Sequence, residues 1–328
     1  MFATLSRRTT VLVASSLVVS AAGMLAAFRA EEAGPVPVTA ARQEAPPRAT
    51  AFVEPGGGEA TVEPRPGDVP VCHEPGRDEI VHIPDKGAPS QGRPIWIRRP
   101  PGEDSADLPV MYLLHGSTGT HQTVRDTNVG PLMDEQMCRV GVQFVIAAPF
   151  GQEVNGSDTE WGDSVNGDFA IESFVTGKAI EAVEGDNRRP RSLRAITGYS
   201  MGGYGAAALA LRHPDLYSQS VSWGGYFKVD DPAGTFGDDP EAHAPDLLLD
   251  DPEVRDIRFF LVEGTDDYTP LQKGTIHGEA ARFAKLLERR DMTVETAFPV
   301  GGHDYSTWIT TYPQVVDFLV EGWSEQPA

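Results

Sequence analysis

The chain has 328 residues, 40% of them apolar, with 27 Lys and Arg against 48 Asp and Glu, a formal net charge of −21. Residues 1–30 hold three Arg and no acid, so the remainder carries 24 basic against 48 acidic residues, a net of −24. Such a surface repels nucleic acid and anionic membrane faces. The apolar content suffices for one domain of about 250 residues.

Residues 1–28 read as a targeting segment. Arg7 and Arg8 form a basic start, residues 9–28 are uncharged and mostly apolar, and Ala21-Ala22 offers a small-residue cleavage site. Twenty residues can also just span a bilayer, so a cleaved signal and a retained N-terminal anchor both stay open. Ser6-Arg7-Arg8 points to twin-arginine export, although Thr10 stands where that signal prefers Phe. Either way the expected location is secreted or extracytoplasmic, with membrane contact only through this segment.

Residues 29–77 change character, with Pro46-Pro47, Pro55-Gly56-Gly57-Gly58 and Glu63-Pro64-Arg65-Pro66-Gly67. Too little apolar surface is present to offset the entropy of ordering, so the expectation is an extended tether. The catalytic domain is placed at 78–323. Cys72 lies near the end of the tether and Cys138 near the end of a predicted helix from Val129; in an exported protein a bridge between them is permitted but not implied.

Val110-Met111-Tyr112-Leu113-Leu114 is the strongest candidate for a buried strand, and it runs into His115-Gly116-Ser117-Thr118-Gly119. A helix is predicted over 168–182, with Phe169, Phe174, Ala179 and Val183 at core-facing spacing. Residues 193–197 predict a strand and 205–212 a helix. Between them stands Gly198-Tyr199-Ser200-Met201-Gly202. A Gly-x-Ser-x-Gly between a strand and a helix is the pattern of a nucleophile elbow. The turn is sharp enough that side chains two places either side of the serine would collide with neighbouring elements, and glycine removes the collision.

A serine hydroxyl needs an imidazole to take its proton, and that imidazole needs a carboxylate to hold its tautomer. On the hydrolase fold the chain order is Ser, acid, His. Here Arg258-Phe259-Phe260-Leu261-Val262 empties into Glu263-Gly264-Thr265-Asp266-Asp267, and a strand at 293–298 empties into Gly301-Gly302-His303-Asp304. Active groups of open parallel sheets gather at the carboxyl ends of strands. The candidate triad is therefore Ser200, Asp267 and His303. Asp266 is the rival acid, disfavoured because a Gly-x-x-Asp spacing from Gly264 selects Asp267. His277 reads as a surface residue and His115 as a brace for its own loop. The oxyanion hole is expected from the N–H groups of Met201 and Ser117, with Gly116 next.

Three motifs, Tyr112-Leu113-Leu114-His115-Gly116, Gly198-Tyr199-Ser200-Met201-Gly202-Gly203 and Gly301-Gly302-His303-Asp304-Tyr305-Ser306-Thr307-Trp308, together resemble the Putative esterase family. That group includes esterase D (S-formylglutathione hydrolase), feruloyl and enterochelin esterases, and mycolyltransferases. The resemblance covers about residues 78–323 and implies an α/β-hydrolase fold with a mostly parallel central sheet flanked by helices. Mycolyltransferases typically have Asp-Gly where this chain has His115-Gly116, which favours ester hydrolysis over mycolate transfer.

The implied activity is a serine carboxylesterase with no cofactor or metal, acting on a small-molecule, lipid or sugar ester. An acyltransferase to an extracellular sugar or lipid alcohol would use the same residues. A binding protein that kept the fold would show a damaged triad. Substrate pockets are expected from loops 150–165, where Trp161 faces either substrate or the core, and 223–255, where Trp223, Tyr226 and Phe227 are candidates for a small cap over the cleft.

Overall fold

The computed structural model describes residues 66–102 and 105–325, all within one compact unit spanning Ala60–Ala328. The expected targeting segment and the tether as far as residue 65 lie outside the described residues.

An eight-stranded sheet organises the chain. Its strands are β1 (Arg77–Ile83), β2 (Arg93–Arg99), β3 (Val110–Leu114), β4 (Val145–Pro149), β5 (Arg194–Tyr199), β6 (Gln219–Trp223), β7 (Arg258–Val262) and, after a small hairpin of β8 (Pro270–Leu271) and β9 (Gly274–Thr275), β10 (Val294–Ala297). The order across the sheet is β1-β2-β4-β3-β5-β6-β7-β10. β1 and β2 pair antiparallel, β2 pairs antiparallel with β4, and the rest run parallel.

The central strands are apolar on both faces because helices cover both. Val110, Tyr112 and Leu114 of β3, with Phe259 and Leu261 of β7, enter one core. Met111, Leu113, Phe260 and Val262 enter the other. This is the period of two that a pleated strand imposes. On the second face pack α1 (His121–Asp126), α2 (Val129–Val140) and α8 (Tyr312–Glu325). On the first pack α3 (Ile171–Ser173), which runs through a π-helical turn into α4 (Ile180–Glu184), then α5 (Met201–Arg212) and α6 (Glu279–Glu288). Phe169, Phe174, Ala179 and Val183 are buried there as their spacing predicts. A short α7 (Tyr305–Trp308) precedes α8.

Two expectations change. Residues 66–76, assigned to the tether, fold back on α2: Val71 is buried, its N–H bonds Gln143 Oε1 at 2.9 Å, and Gly67 N–H bonds the Cys138 carbonyl at 3.1 Å. Cys72 and Cys138 form a disulfide across 66 residues of sequence. Replacing both by Ser should cost about 2–4 kcal/mol through the regained freedom of the unfolded chain, read as a lower urea midpoint with a steeper slope, because the unbridged denatured chain exposes more surface. The aromatic run 223–227 is not a cap. Trp223 ends β6, stacks on Tyr199 at 4.9 Å and donates Nε1–H to Thr311 Oγ1 at 3.0 Å. Phe227 stacks on Phe283 at 4.2 Å. Burial of large apolar rings takes them into the core.

Candidate active site

β5 turns into α5 within one residue. Ser200 occupies φ 56°, ψ −119°, a backbone region costing about 1–3 kcal/mol for a non-glycine residue. The flanking glycines explain how the turn closes. A Cβ at 198 would lie 2.2 Å from the Gly202 carbonyl oxygen, and one at 202 would lie 2.3 Å from that of Leu114. The turn is held by Ser200 N–H to the Trp223 carbonyl at 2.7 Å, and by the Ser200 carbonyl accepting from Gly203 and Tyr204 at 2.8 and 3.1 Å.

Two loops at the same edge of the sheet bring in the partners. His303 Nε2 lies 2.7 Å from Ser200 Oγ, and its Nδ1 lies 2.6 Å from Asp267 Oδ2. With Nδ1–H donating to the carboxylate, Nε2 is left to accept the serine proton. Asp267 is fully buried, and its other oxygen accepts from Thr269 N–H at 3.1 Å. Burial pushes the Asp267 carboxyl up, but the His303 bond and charge and the Thr269 contacts outweigh it and hold the group below its ordinary value. Asp266 is exposed, and its N–H fastens the acid loop to the His303 loop through the Gly301 carbonyl at 2.9 Å. His303 meets Trp308 edge to face, ring centroids 5.0 Å apart. Gly224, at φ +59°, leaves room for both rings: a Cβ there would lie 2.7 Å from Trp308 and 3.1 Å from the imidazole.

The loop after β3 closes the third side. A Cβ on Gly116 would lie 3.1 Å from Ser200 Cβ and 3.8 Å from its Oγ, so the backbone passes directly beside the nucleophile. Ser117 follows, with its hydroxyl donating to Asp158 Oδ2 at 2.7 Å. Its N–H bonds no acceptor among the described residues. Met201 opens α5, where a helix N–H has no acceptor within the helix.

His115 is fully buried. Its Nδ1 lies 2.8 Å from the Gly116 carbonyl and its Nε2 accepts from Gly151 N–H at 2.9 Å. Burial, the largest influence, lowers its pKa to about 4, so the ring is neutral with the proton on Nδ1. Trp161 meets it with tilted rings, centroids 4.8 Å apart, and donates Nε1–H to the His115 carbonyl at 3.2 Å, placing that tryptophan in the core. His277 is half-exposed and stacks on Tyr268 at 4.4 Å. Thr269, Trp308, Gly224 and Asp158 were not singled out by sequence reasoning as site residues. Trp308 alone lay in a quoted motif, and no local pattern marks the others.

Glu160 and Trp161 both have positive φ, 47° and 56°. The Glu160 carboxyl, 3% exposed, accepts the Tyr226 hydroxyl. Burial, with Asp158, Asp230 and Asp231 nearby, pushes its pKa well up despite the tyrosine bond. An acid raised in the folded state binds more protons there than when unfolded, so its contribution to stability falls as pH rises above the unfolded value. Glu160→Gln should therefore match the wild type in Tm near pH 4 and exceed it increasingly from pH 5 to 8. Among the described residues no group of three or more His, Cys, Asp or Glu is arranged to hold a metal ion.

The chain matches the family described as Putative esterase over residues 88–319. An S-formylglutathione hydrolase of Paracoccus denitrificans is 29% identical over 138 residues, 38% of this chain and 49% of that protein, so the match spans about half the length of the curated relative. Among solved structures, a ferulic acid esterase superposes with a TM-score of 0.63 at 19% identity, covering 76% of this chain and 99% of its own. An S-formylglutathione hydrolase from Agrobacterium tumefaciens gives 0.63 at 20%, covering 77% and 96%. At these identities the structural likeness speaks for the α/β-hydrolase fold, and with its sheet order, its nucleophile elbow and the family match over most of its length, the chain belongs to the Putative esterase family.

Proposed function

We propose that the chain is an exported serine carboxylesterase. The observation that carries this reading is the continuous relay from Ser200 Oγ through His303 to Asp267, at 2.7 and 2.6 Å, at the end of a strained elbow. In this mechanism Ser200 Oγ attacks the ester carbonyl while His303 Nε2 takes its proton. Asp267 keeps Nδ1 protonated and stabilises the imidazolium. The carbonyl oxygen becomes an oxyanion met by the N–H groups of Met201 and Ser117. Collapse expels the alcohol, which takes the proton back from Nε2. Water, deprotonated by the same nitrogen, then attacks the acyl-serine and releases the acid. No step calls for a cofactor. His115 serves by holding the backbone of 115–117 against the elbow.

The basic pair Arg7-Arg8 before an apolar stretch and the disulfide support export, since disulfides persist in oxidising compartments. No helix among the described residues is long and apolar enough to cross a membrane. The test is hydrolysis of a p-nitrophenyl ester series from acetate to palmitate by the full chain. A chain-length optimum with kcat of at least about 1 s⁻¹, the low end for enzymes, supports the reading. The absence of turnover across the series sinks it.

A further inference from the structure

In the mechanism above, the Ser117 N–H serves the oxyanion only while its peptide keeps one orientation. That peptide is gripped at its carbonyl end. The Gly116 oxygen lies 2.8 Å from His115 Nδ1 and accepts from Gly119 N–H at 3.0 Å. In a trans peptide the C=O and the following N–H point to opposite sides of one plane. These bonds therefore turn the Ser117 N–H away from its own loop, and it bonds no acceptor among the described residues. Thr118, next in the chain, sits at φ 57°, a left-handed backbone that a residue with a Cβ keeps only where its surroundings impose it. A loop under that strain needs a second hold.

Asp158 supplies one. Its Oδ2 accepts the Ser117 hydroxyl at 2.7 Å, and its Oδ1 accepts from Gln152 Nε2 at 3.0 Å. Gln152 is buried, and its Nε2 also donates to the Gly156 carbonyl at 2.9 Å. Its Oε1 is buried with no partner among the described residues. Buried polar atoms are ordinarily bonded, so this amide is committed through its NH2 group to the carboxylate and to the turn beside it. The Gln152 carbonyl in turn accepts from the fully buried Arg93 at 3.3 Å, which pairs with Asp85 at 3.0 Å. The acceptor facing Ser117 thus stands on a base anchored in the core.

We infer that Asp158 is a positioning residue for the oxyanion donor, fixing the Ser117 N–H toward the reaction centre by holding the serine side chain. The inference rests on the esterase reading and adds a residue to its machinery. Asp158 touches neither substrate nor the reacting atoms and acts through Ser117. With His115 and Gly119 on the carbonyl and Asp158 on the side chain, both ends of the peptide unit are held. The plane then has no rotation to make when charge develops on the carbonyl oxygen. Such a donor acts on the transition state more than on the bound ester, so loss of the hold falls on kcat.

The test measures kcat and KM of the full chain on the best p-nitrophenyl ester, with inhibition by 1,1,1-trifluoro-2-octanone, whose adduct with a serine carries an oxyanion. Asp158→Ala should lower kcat about tenfold at unchanged KM and raise the Ki of the ketone by a similar factor. That is less than the roughly 10²- to 10³-fold for a donor removed outright, because the N–H is loosened and not lost. Ser117→Ala breaks the same bond at an exposed residue and keeps the N–H. It should match Asp158→Ala, and the double variant should be no worse than either single, since one bond is lost in all three. Asp158→Asn keeps an acceptor for the hydroxyl and should restore kcat to within about threefold of the wild type. A purely structural role would lower Tm without dividing kcat from KM. Should Asp158→Ala fail to fold, Ser117→Ala carries the test with the same expected result. Variants equal to an active wild type, a change in KM alone, a kcat loss that leaves the ketone's Ki unmoved, or additive losses in the double variant overturn the inference and leave the esterase reading intact. A wild type that hydrolyses no ester removes the esterase reading and this role with it.

Discussion

Ser200→Ala should lower kcat on the best p-nitrophenyl ester by at least about 10⁴-fold, with KM changed little. The size follows from the machinery that remains. Without Oγ no acyl-enzyme can form, and what survives is the oxyanion site and substrate binding, which elsewhere sustain about 10³- to 10⁴-fold over water out of a far larger total. His303→Ala should lose about as much, because a serine with no base at 2.7 Å is a poor nucleophile. The double variant should be no worse than either single, since the two act as one unit. Alanine at 200 also relieves no clash, because the strain lies in the backbone and in the glycines around it, so the protein should stay folded. Stopped assays on purified variants with unchanged circular dichroism would check this. A Ser200→Ala enzyme keeping a tenth of the activity would remove the serine mechanism.

Asp267→Asn should reduce kcat by about 10⁴-fold, while Asp266→Asn should stay within about twofold. An amide at 267 can donate to Nδ1 and so favours the tautomer with the proton on Nε2, which can no longer accept from serine. Asp266 is exposed and contributes its N–H, not its carboxylate, to the contact with Gly301; asparagine keeps that bond. The wild-type acid also carries a pH signature. Because its folded value lies below the ordinary one, its contribution to stability is present above the unfolded value near 4 and is lost as pH falls through the lower folded value. The Asp267→Asn variant should lack that acid limb in Tm against pH. If the two substitutions had exchanged effects, the acid of the site would be Asp266.

How much of this was legible beforehand differs by residue. The elbow was readable because its cause is local: glycines at 198 and 202 are required by contacts within one turn, and strand and helix flank them directly. The loops carrying Asp267 and His303 were readable because each follows a continuous apolar run, and such runs are buried strands whose carboxyl ends meet at one edge. The choice between the adjacent acids rested on a spacing rule, and the structure supplies the physical ground, since one side chain turns inward beneath the imidazole and the other outward to water.

Other parts had no local cause. Cys72 and Cys138 carry no spacing that requires a bridge, and only the fold of 66–76 onto α2 brings them together. Trp223, Tyr226 and Phe227 look like a mobile aromatic lip in a glycine-rich stretch, but packing decides otherwise: Trp223 lies beneath Tyr199, Phe227 against Phe283, and Tyr226 bonds Glu160. A cavity with Glu153, Asp158 and Asp168 in its wall is assembled from residues 153–169 and 233–235, two segments with no shared pattern. By itself the sequence determined the strands that end at the site, the elbow, and the serine and histidine of the relay with the loop that carries its acid, because periodicity and steric exclusion act over a few neighbours. Only the tertiary structure decided the disulfide, the burial of the aromatics and the acidic cavity, because those depend on contacts between segments far apart in the chain, for which no residue carries a local mark.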